Sequence, residues 1–87
     1  MLRIQRSAKG EVVFTLSGRM AEEDIAQVET LISSESDGLV MVLDLKDLIL
    51  VGREAISFLE RCETDGITLR NCARYVRELI TRQRRGS

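Results

Sequence analysis

Two short segments near the start of the chain alternate between hydrophobic and polar positions. Between Glu11 and Ser17 a hydrophobic residue stands at every second place: Val12, Phe14 and Leu16. This period of two is typical of a strand with one buried face. A weaker alternation, with Leu2 and Ile4, comes before Lys9-Gly10. We therefore predict that the chain begins with a hairpin.

Three later segments space their hydrophobic residues by three, four or seven positions, as one face of a helix does. The three stripes are Ala21, Ile25, Val28, Leu31 and Ile32; Ala55, Ile56, Leu59 and Cys62; and Val76, Leu79 and Ile80. Asp37-Gly38 and Asp65-Gly66 are predicted to end the first two helices, and Asn71 to cap the third. Residues 83–87 are predicted to form a loose tail.

The remaining hydrophobic residues form short runs. Leu39–Leu43 is apolar throughout, which is typical of a strand buried on both faces in the middle of a sheet. Leu48–Val51 is a second run, leading to Gly52, and Ile67–Leu69 predicts a last short strand. After the hairpin the order is βαβαβα, which implies parallel strands with right-handed crossovers. The predicted fold is α/β, with a mostly parallel, mixed sheet of four to five strands and three helices.

The length and composition predict one domain that occupies residues 1–87, because two halves would each be too small to bury a core. No stretch approaches the roughly 20 apolar residues of a membrane helix, and residues 1–10 lack the apolar block of a signal peptide. We therefore expect a cytoplasmic protein that has no membrane partner. Cys62 and Cys72 have no His to complete a metal site with them, so reduced, largely buried thiols are expected.

Charge is distributed unevenly along the chain. The net charge is +3 over residues 1–19, −9 over 20–65 and +5 over 66–87. The last basic residues suit the C-terminal end of a helix dipole, and this interpretation is favoured. The alternative is a nucleic-acid surface made by Arg70, Arg74, Arg77, Arg82, Arg84 and Arg85. Aromatic residues make up only 3% of the chain, so stacking platforms for single strands are missing and binding to nucleic acid is not expected.

Few residues point to catalysis. The chain has no His, the usual proton-transfer group, and neither a Gly-x-Gly-x-x-Gly nor a P-loop motif. Asp44 and Asp47 follow a buried strand, where open α/β sheets bind ligands, and could hold a cation. The favoured alternative is that Asp44 accepts hydrogen bonds from loop amides and Asp47 serves the following turn. We expect no enzymatic activity, cofactor or metal.

Two segments carry a family resemblance. Phe14-Thr-Leu-Ser-Gly-Arg19, followed by an acidic-capped helix, and Val42-Leu-Asp-Leu-Lys-Asp-Leu-Ile-Leu-Val51 resemble the corresponding parts of STAS domains. This family includes the anti-sigma factor antagonists of bacteria. The resemblance extends from about Glu11 to Ile80 and implies a STAS fold and a protein partner, which for the antagonists is an anti-sigma factor kinase. A last strand and helix common in the family have no room after Arg85, so we expect an exposed sheet edge that a partner strand or a homodimer could cover.

The loop after the second segment departs from the family. Switchable members have Asp-Ser-Ser-Gly or Asp-Ser-Thr-Gly there, and the partner kinase phosphorylates the first Ser. Alignment from Asp44 without gaps puts Gly52, Arg53, Glu54 and Ala55 at these four positions. Arg53 has no hydroxyl group and its charge is opposite to that of a phosphate. The resemblance thus implies a module that phosphorylation does not switch at this loop.

The predicted partner-binding surface lies where the family uses it, at the loop and the starts of two helices. Its residues are Gly52, Arg53, Glu54 and Ser57, together with Arg19, Met20, Glu22 and Glu23. The predicted function is a non-enzymatic protein–protein interaction module that resembles an anti-sigma factor antagonist and regulates transcription. The alternatives are a STAS-like sensory or scaffold subunit that binds a small ligand or self-associates, and a nucleic-acid-binding module that uses the basic C-terminal helix.

Overall fold

The computed structural model describes residues 2–35 and 41–86. Its elements follow the predicted order, and their bounds are β1 Leu2–Ala8, β2 Val12–Met20, α1 Glu22–Ser33, β3 Met41–Val51, α2 Arg53–Thr64, β4 Thr68–Arg70 and α3 Arg74–Gly86. The predicted helix stop at Asp37-Gly38, and the first two residues of the predicted Leu39–Leu43 strand, lie outside the described residues. No helix in the described ranges is long and apolar enough to span a membrane.

The four strands form one mixed sheet in the order β1-β2-β3-β4. β1 and β2 are antiparallel, and Gly10 takes a positive φ of 85° in the turn between them, a conformation that glycine adopts without strain. β2, β3 and β4 are parallel. The structure therefore confirms the predicted α/β fold with its N-terminal hairpin, mixed sheet and three helices.

One hydrophobic core lies between the sheet and the helices. The alternation in β2 is confirmed, because Val12, Phe14 and Leu16 are at most 1% exposed while the residues between them are half-buried. Each of the three helices adds buried residues to the same core, so all three pack on one face of the sheet. On β3, Leu43 belongs to this core whereas Val42, also buried, does not, because successive strand residues point to opposite faces.

β3 joins the two apolar runs that the sequence separates. Thr15 of β2 pairs with Asp44 of β3, and Ser17 pairs with Asp47. Between these two pairs β2 advances by two residues and β3 by three, so β3 carries one extra residue. This β-bulge bends β3, and a second register shift follows near its end. β4 pairs only with Val42–Asp44, so β3 continues past the end of β4.

The C-terminal helix differs from its prediction in three ways. Val76 and Ile80 are buried as expected, but Leu79 is 37% exposed, so its predicted inward position is wrong. Residues 83–86 are helical, so the predicted loose tail is also wrong. The cause is contact with α2, because Gln83 donates a hydrogen bond to Ser57 and Arg84 reaches Glu60 and Glu63.

The third difference is the start of α3. Asn71 does not cap this helix, because the first helical hydrogen bond runs from Arg77 N–H to the carbonyl of Ala73, two residues later. Asn71 instead takes a left-handed φ of 56° directly after β4, and its amide donates to the carboxylate of Asp44 at 3.1 Å. Its role is therefore to close the junction between β4 and β3.

Candidate protein-binding surface

The two segments that the sequence assigns to partner binding lie side by side. Because β2 and β3 are parallel, their carboxyl ends meet at the same edge, and Met20 pairs with Val51. The N–H of Gly52 donates to the carbonyl of Met20 at 3.0 Å. This hydrogen bond joins the start of α2 to the start of α1, so residues more than thirty positions apart in sequence form one surface.

Five charged side chains project from this surface. Arg19, Glu22, Glu23, Arg53 and Glu54 are all exposed. None of the five forms an ion pair with another described residue. Their charges are therefore available to a partner, with both signs present on the same surface.

The other three predicted residues contribute less. Met20 is 1% exposed and belongs to the core, so its side chain cannot contact a partner, contrary to its place in the predicted set. Gly52 and Ser57 are half-buried. The hydroxyl of Ser57 donates to the Arg53 carbonyl at 3.4 Å and accepts from the Gln83 amide, so it is held between α2 and α3.

A cleft of about 480 Å³ opens between the two segments, with Arg19 and Glu23 on one side and Val51 and Gly52 on the other. Asp24 also lines it, and its carboxylate accepts from the N–H of Ala21 at 2.9 Å. This bond caps α1, which explains the acid at the third position of that helix. The position of Asp24, three residues after the N-cap residue Ala21, was the sequence signal for this capping role.

The start of α2 lacks a side-chain cap. Gly52 is its N-cap residue, with φ −75° and ψ 169°, and it offers no acceptor to the first helical amides. Glu54 lies in the first turn, where a carboxylate favours the positive end of the helix dipole.

Asp44 has a structural role. Its carboxylate accepts from the backbone N–H of Lys46 at 3.0 Å as well as from Asn71, as expected for the favoured alternative. Asp47 is exposed. Across residues 2–35 and 41–86, no group of three or more His, Cys, Asp or Glu residues could hold a metal ion.

Half of the six arginines considered for nucleic acid join elements of the fold. Arg70 contacts Glu11 at 2.8 Å, Arg77 contacts Glu63 at 2.7 Å, and Arg84 contacts both Glu60 and Glu63. The hydrogen bond from Arg77 lowers the pKa of the Glu63 carboxyl. These contacts fasten α3 to α2 and β4 to the turn that precedes β2, and they neutralise part of the basic charge.

The two thiols are poor nucleophiles. Cys62 is 4% exposed, and burial raises its pKa to about 12. Cys72 is half-buried, and its pKa is raised by burial as well. Because the thiolate is the reactive form, both side chains act as small hydrophobic residues at neutral pH.

Comparison with known proteins gives a structural likeness only. No protein-family model matches the chain, and no curated protein matches it. Among solved structures, the chain is similar to an uncharacterised protein of the DUF3478 family from Shewanella loihica PV-4, which has a SpoIIAA-like fold, with a TM-score of 0.55 and 17% sequence identity. The match covers 78% of this chain and 65% of that protein. The likeness agrees with the predicted STAS-like fold, and the fold of this chain is SpoIIAA-like.

Proposed function

We propose that this chain is a non-enzymatic protein-binding module that resembles an anti-sigma factor antagonist and uses the surface around Gly52. The fold supports this proposal, but the observation that carries it is the convergence of five exposed, unpaired charges at the joined ends of β2 and β3. Loops at the carboxyl edge of a parallel sheet present variable recognition groups on a rigid frame.

We further propose that phosphorylation at this loop does not control binding. Arg53 stands at the position aligned with the phosphorylated Ser of switchable family members, and it is exposed and positively charged. The nearest hydroxyl along α2 is that of Ser57, which is half-buried and engaged by Arg53 and Gln83. Neither residue offers the free hydroxyl that such a switch needs.

The test is a quantitative pull-down from lysate of the native cell, with Arg53→Glu compared with Lys9→Glu. Both variants reverse one exposed charge, but Lys9 lies in the turn between β1 and β2, at the opposite end of β2 from Met20. We expect the parent chain and Lys9→Glu to recover the same protein and Arg53→Glu to lose it, while the Arg53→Glu melting temperature falls by no more than about 2 °C. Equal recovery by both variants would place the site elsewhere.

The identity of the recovered protein also distinguishes a role in sigma-factor regulation from a scaffold or sensory role. A histidine-kinase-like ATPase would assign the chain to regulation of a sigma factor, whereas other subunits of a complex would favour a scaffold or sensory role. Incubation with ATP and the recovered kinase, followed by intact mass measurement, tests the absence of a switch. A phosphate on Ser57 would refute it.

A further inference from the structure

A second surface carries exposed large hydrophobic residues. These are Ile49, 74% exposed, Tyr75, 44% exposed, and Leu79, 37% exposed. Tyr75 and Leu79 lie one turn apart on α3, and the Tyr75 hydroxyl donates to the backbone carbonyl of Ile49 at 3.0 Å, so α3 meets the backbone of β3 at Ile49. We call Ile49, Tyr75 and Leu79 the apolar strip.

The apolar strip borders a sheet edge that has no partner strand. β4 pairs with β3 only as far as Asp44, so Leu45–Val51 has no strand beside it on that side within the described residues. Fully extended, these seven residues would reach about 23 Å, and the bulge at Asp44–Asp47 and the register shift near Leu50 shorten this span. Within this segment, the backbone carbonyl of Ile49 accepts a hydrogen bond from the Tyr75 hydroxyl. A backbone amide of an incoming strand could take the place of that hydroxyl. An open edge of this length is a template for an incoming strand.

A cleft at the end of this edge defines the chemistry of the occupant. It measures about 460 Å³ and is lined by Val51, Arg53, Ile56, Leu79, Arg82 and Gln83. Its hydrophobic residues suit an apolar side chain. Neither Arg53 nor Arg82 forms an ion pair with any residue in 2–35 or 41–86. Two unpaired guanidinium groups beside an apolar cleft favour a partner that carries carboxylates.

We propose that the open edge of β3 and the apolar strip bind an extended segment of another protein, with an apolar residue in the cleft and acidic residues against Arg53 and Arg82. The segment adds a strand beside Leu45–Val51, which supplies affinity through backbone hydrogen bonds, while the cleft and its arginines supply specificity. This surface shares Arg53 with the charged residues at the starts of α1 and α2, but the open edge of β3, Leu79 and Arg82 lie outside that set, and the inference does not depend on the function proposed above.

The probe is a phage-displayed library of random peptides, about twelve residues long, selected on the immobilised full chain. We expect the retained peptides to combine β-branched or aromatic residues with Asp or Glu. The affinity of the best peptide is expected to fall at least about tenfold for Arg82→Glu and for Leu79→Lys. Arg85→Glu is the matched control, because it reverses an exposed charge on the same helix outside the cleft, and its affinity should stay within about twofold of the parent.

Hydrogen exchange of the complex tests the strand addition itself. Bound peptide should slow exchange of the backbone amides within Leu45–Val51, and N-methylation of the peptide amides that face β3 should abolish binding. The proposal is overturned if no peptides are retained above background, if the retained peptides are basic, if Arg82→Glu and Arg85→Glu bind equally, or if exchange in this segment is unchanged. It is also overturned if light scattering shows that the chain forms a dimer that Leu79→Lys dissociates, because a second copy would then cover the strip.

Discussion

Gly52 is the residue at which a small change tests the geometry of the proposed binding surface. It is the N-cap of α2 in an extended conformation, and no side chain accepts from the first amides of that helix. An Asp at this position could accept from the N–H of Glu54 or Ala55. A Cβ added to Gly52 would lie 3.7 Å from the Met20 carbonyl oxygen, which is an ordinary van der Waals contact. Gly52→Asp should therefore supply a cap without strain.

The magnitude follows from measured cap substitutions. Replacing an N-cap Asp by Gly costs a few tenths of a kcal/mol, and replacing it by Ala costs about 1 kcal/mol. Gly52→Asp should thus be more stable than the parent by about 0.3 kcal/mol and more stable than Gly52→Ala by about 1 kcal/mol. In a chain of this length, 1 kcal/mol corresponds to a difference of about 4–8 °C in melting temperature.

The assay is thermal denaturation of the parent, Gly52→Asp and Gly52→Ala, followed by circular dichroism at pH 7. The Asp and Ala variants are compared with each other because each replaces glycine and so lowers the conformational entropy of the unfolded chain. This entropy effect is similar in the two variants and largely cancels from the difference between their melting temperatures. If the Asp and Ala variants melt within about 1 °C of each other, residue 52 does not cap α2 and the described start of this helix is wrong.

Three further predictions concern the frame that holds these surfaces. Leu59 is 0% exposed, so Leu59→Ala should lower the free energy of unfolding, measured by urea denaturation, by about 2–5 kcal/mol. Leu79→Ala should lower it by less than about 1 kcal/mol, because Leu79 is exposed. Equal losses for the two variants would contradict this difference in burial. Asp44→Ala removes two hydrogen bonds and should lower the free energy of unfolding by about 1–2 kcal/mol. It should also speed hydrogen exchange of the backbone amides in Thr68–Arg70, because Asp44 joins β3 to the end of β4 through Asn71. Unchanged exchange in this strand would contradict that role. The pKa of Glu63 is lowered in the folded chain. The ionised carboxylate therefore adds to the free energy of unfolding at pH values above its unfolded pKa, near 4.3, and this stabilisation is lost as the pH falls through the folded pKa. Because Glu63 is partly exposed and its pairs are screened, Glu63→Gln should destabilise the chain by at most about 1 kcal/mol at pH 7, and a difference that persists undiminished at pH 3 would refute the ion-pair explanation.

The elements with a simple hydrophobic period could be predicted from the sequence. The alternation in β2 and the stripe in α2 each reflect one buried face, so Phe14 and Leu59 were assigned correctly to the core. Phe58 was missed because it lies beside the predicted stripe of α2, and yet it is 4% exposed. A stripe marks the centre of a buried face and leaves its width undetermined.

Features that depend on contacts between elements could not be predicted in this way. Leu79 fits the helical period of α3, yet it is 37% exposed, whereas Val76 and Ile80 of the same stripe are buried. The same holds for the helical end of the chain, which is stabilised by Arg84 and its two glutamates on α2. The proposed binding surface was placed from the resemblance and from the rule that parallel strands end at one edge. The structure brings its two segments together at that edge, whereas the burial of Met20 could not be predicted from this rule.

The bulge in β3 accounts for the position of both proposed surfaces. It begins at Asp44, whose carboxylate binds Asn71 directly after β4, so the chain turns into α3 at the point where β3 bends. β3 then continues past β4 with one open side and ends at Gly52 beside Met20. Val51 consequently lines both clefts, and Arg53 lies on both proposed surfaces. A change at Arg53 alone therefore cannot separate the two proposals. Arg82→Glu, which alters only the cleft beside the apolar strip, and Glu23→Lys, which alters only the cleft beside Gly52, can do so.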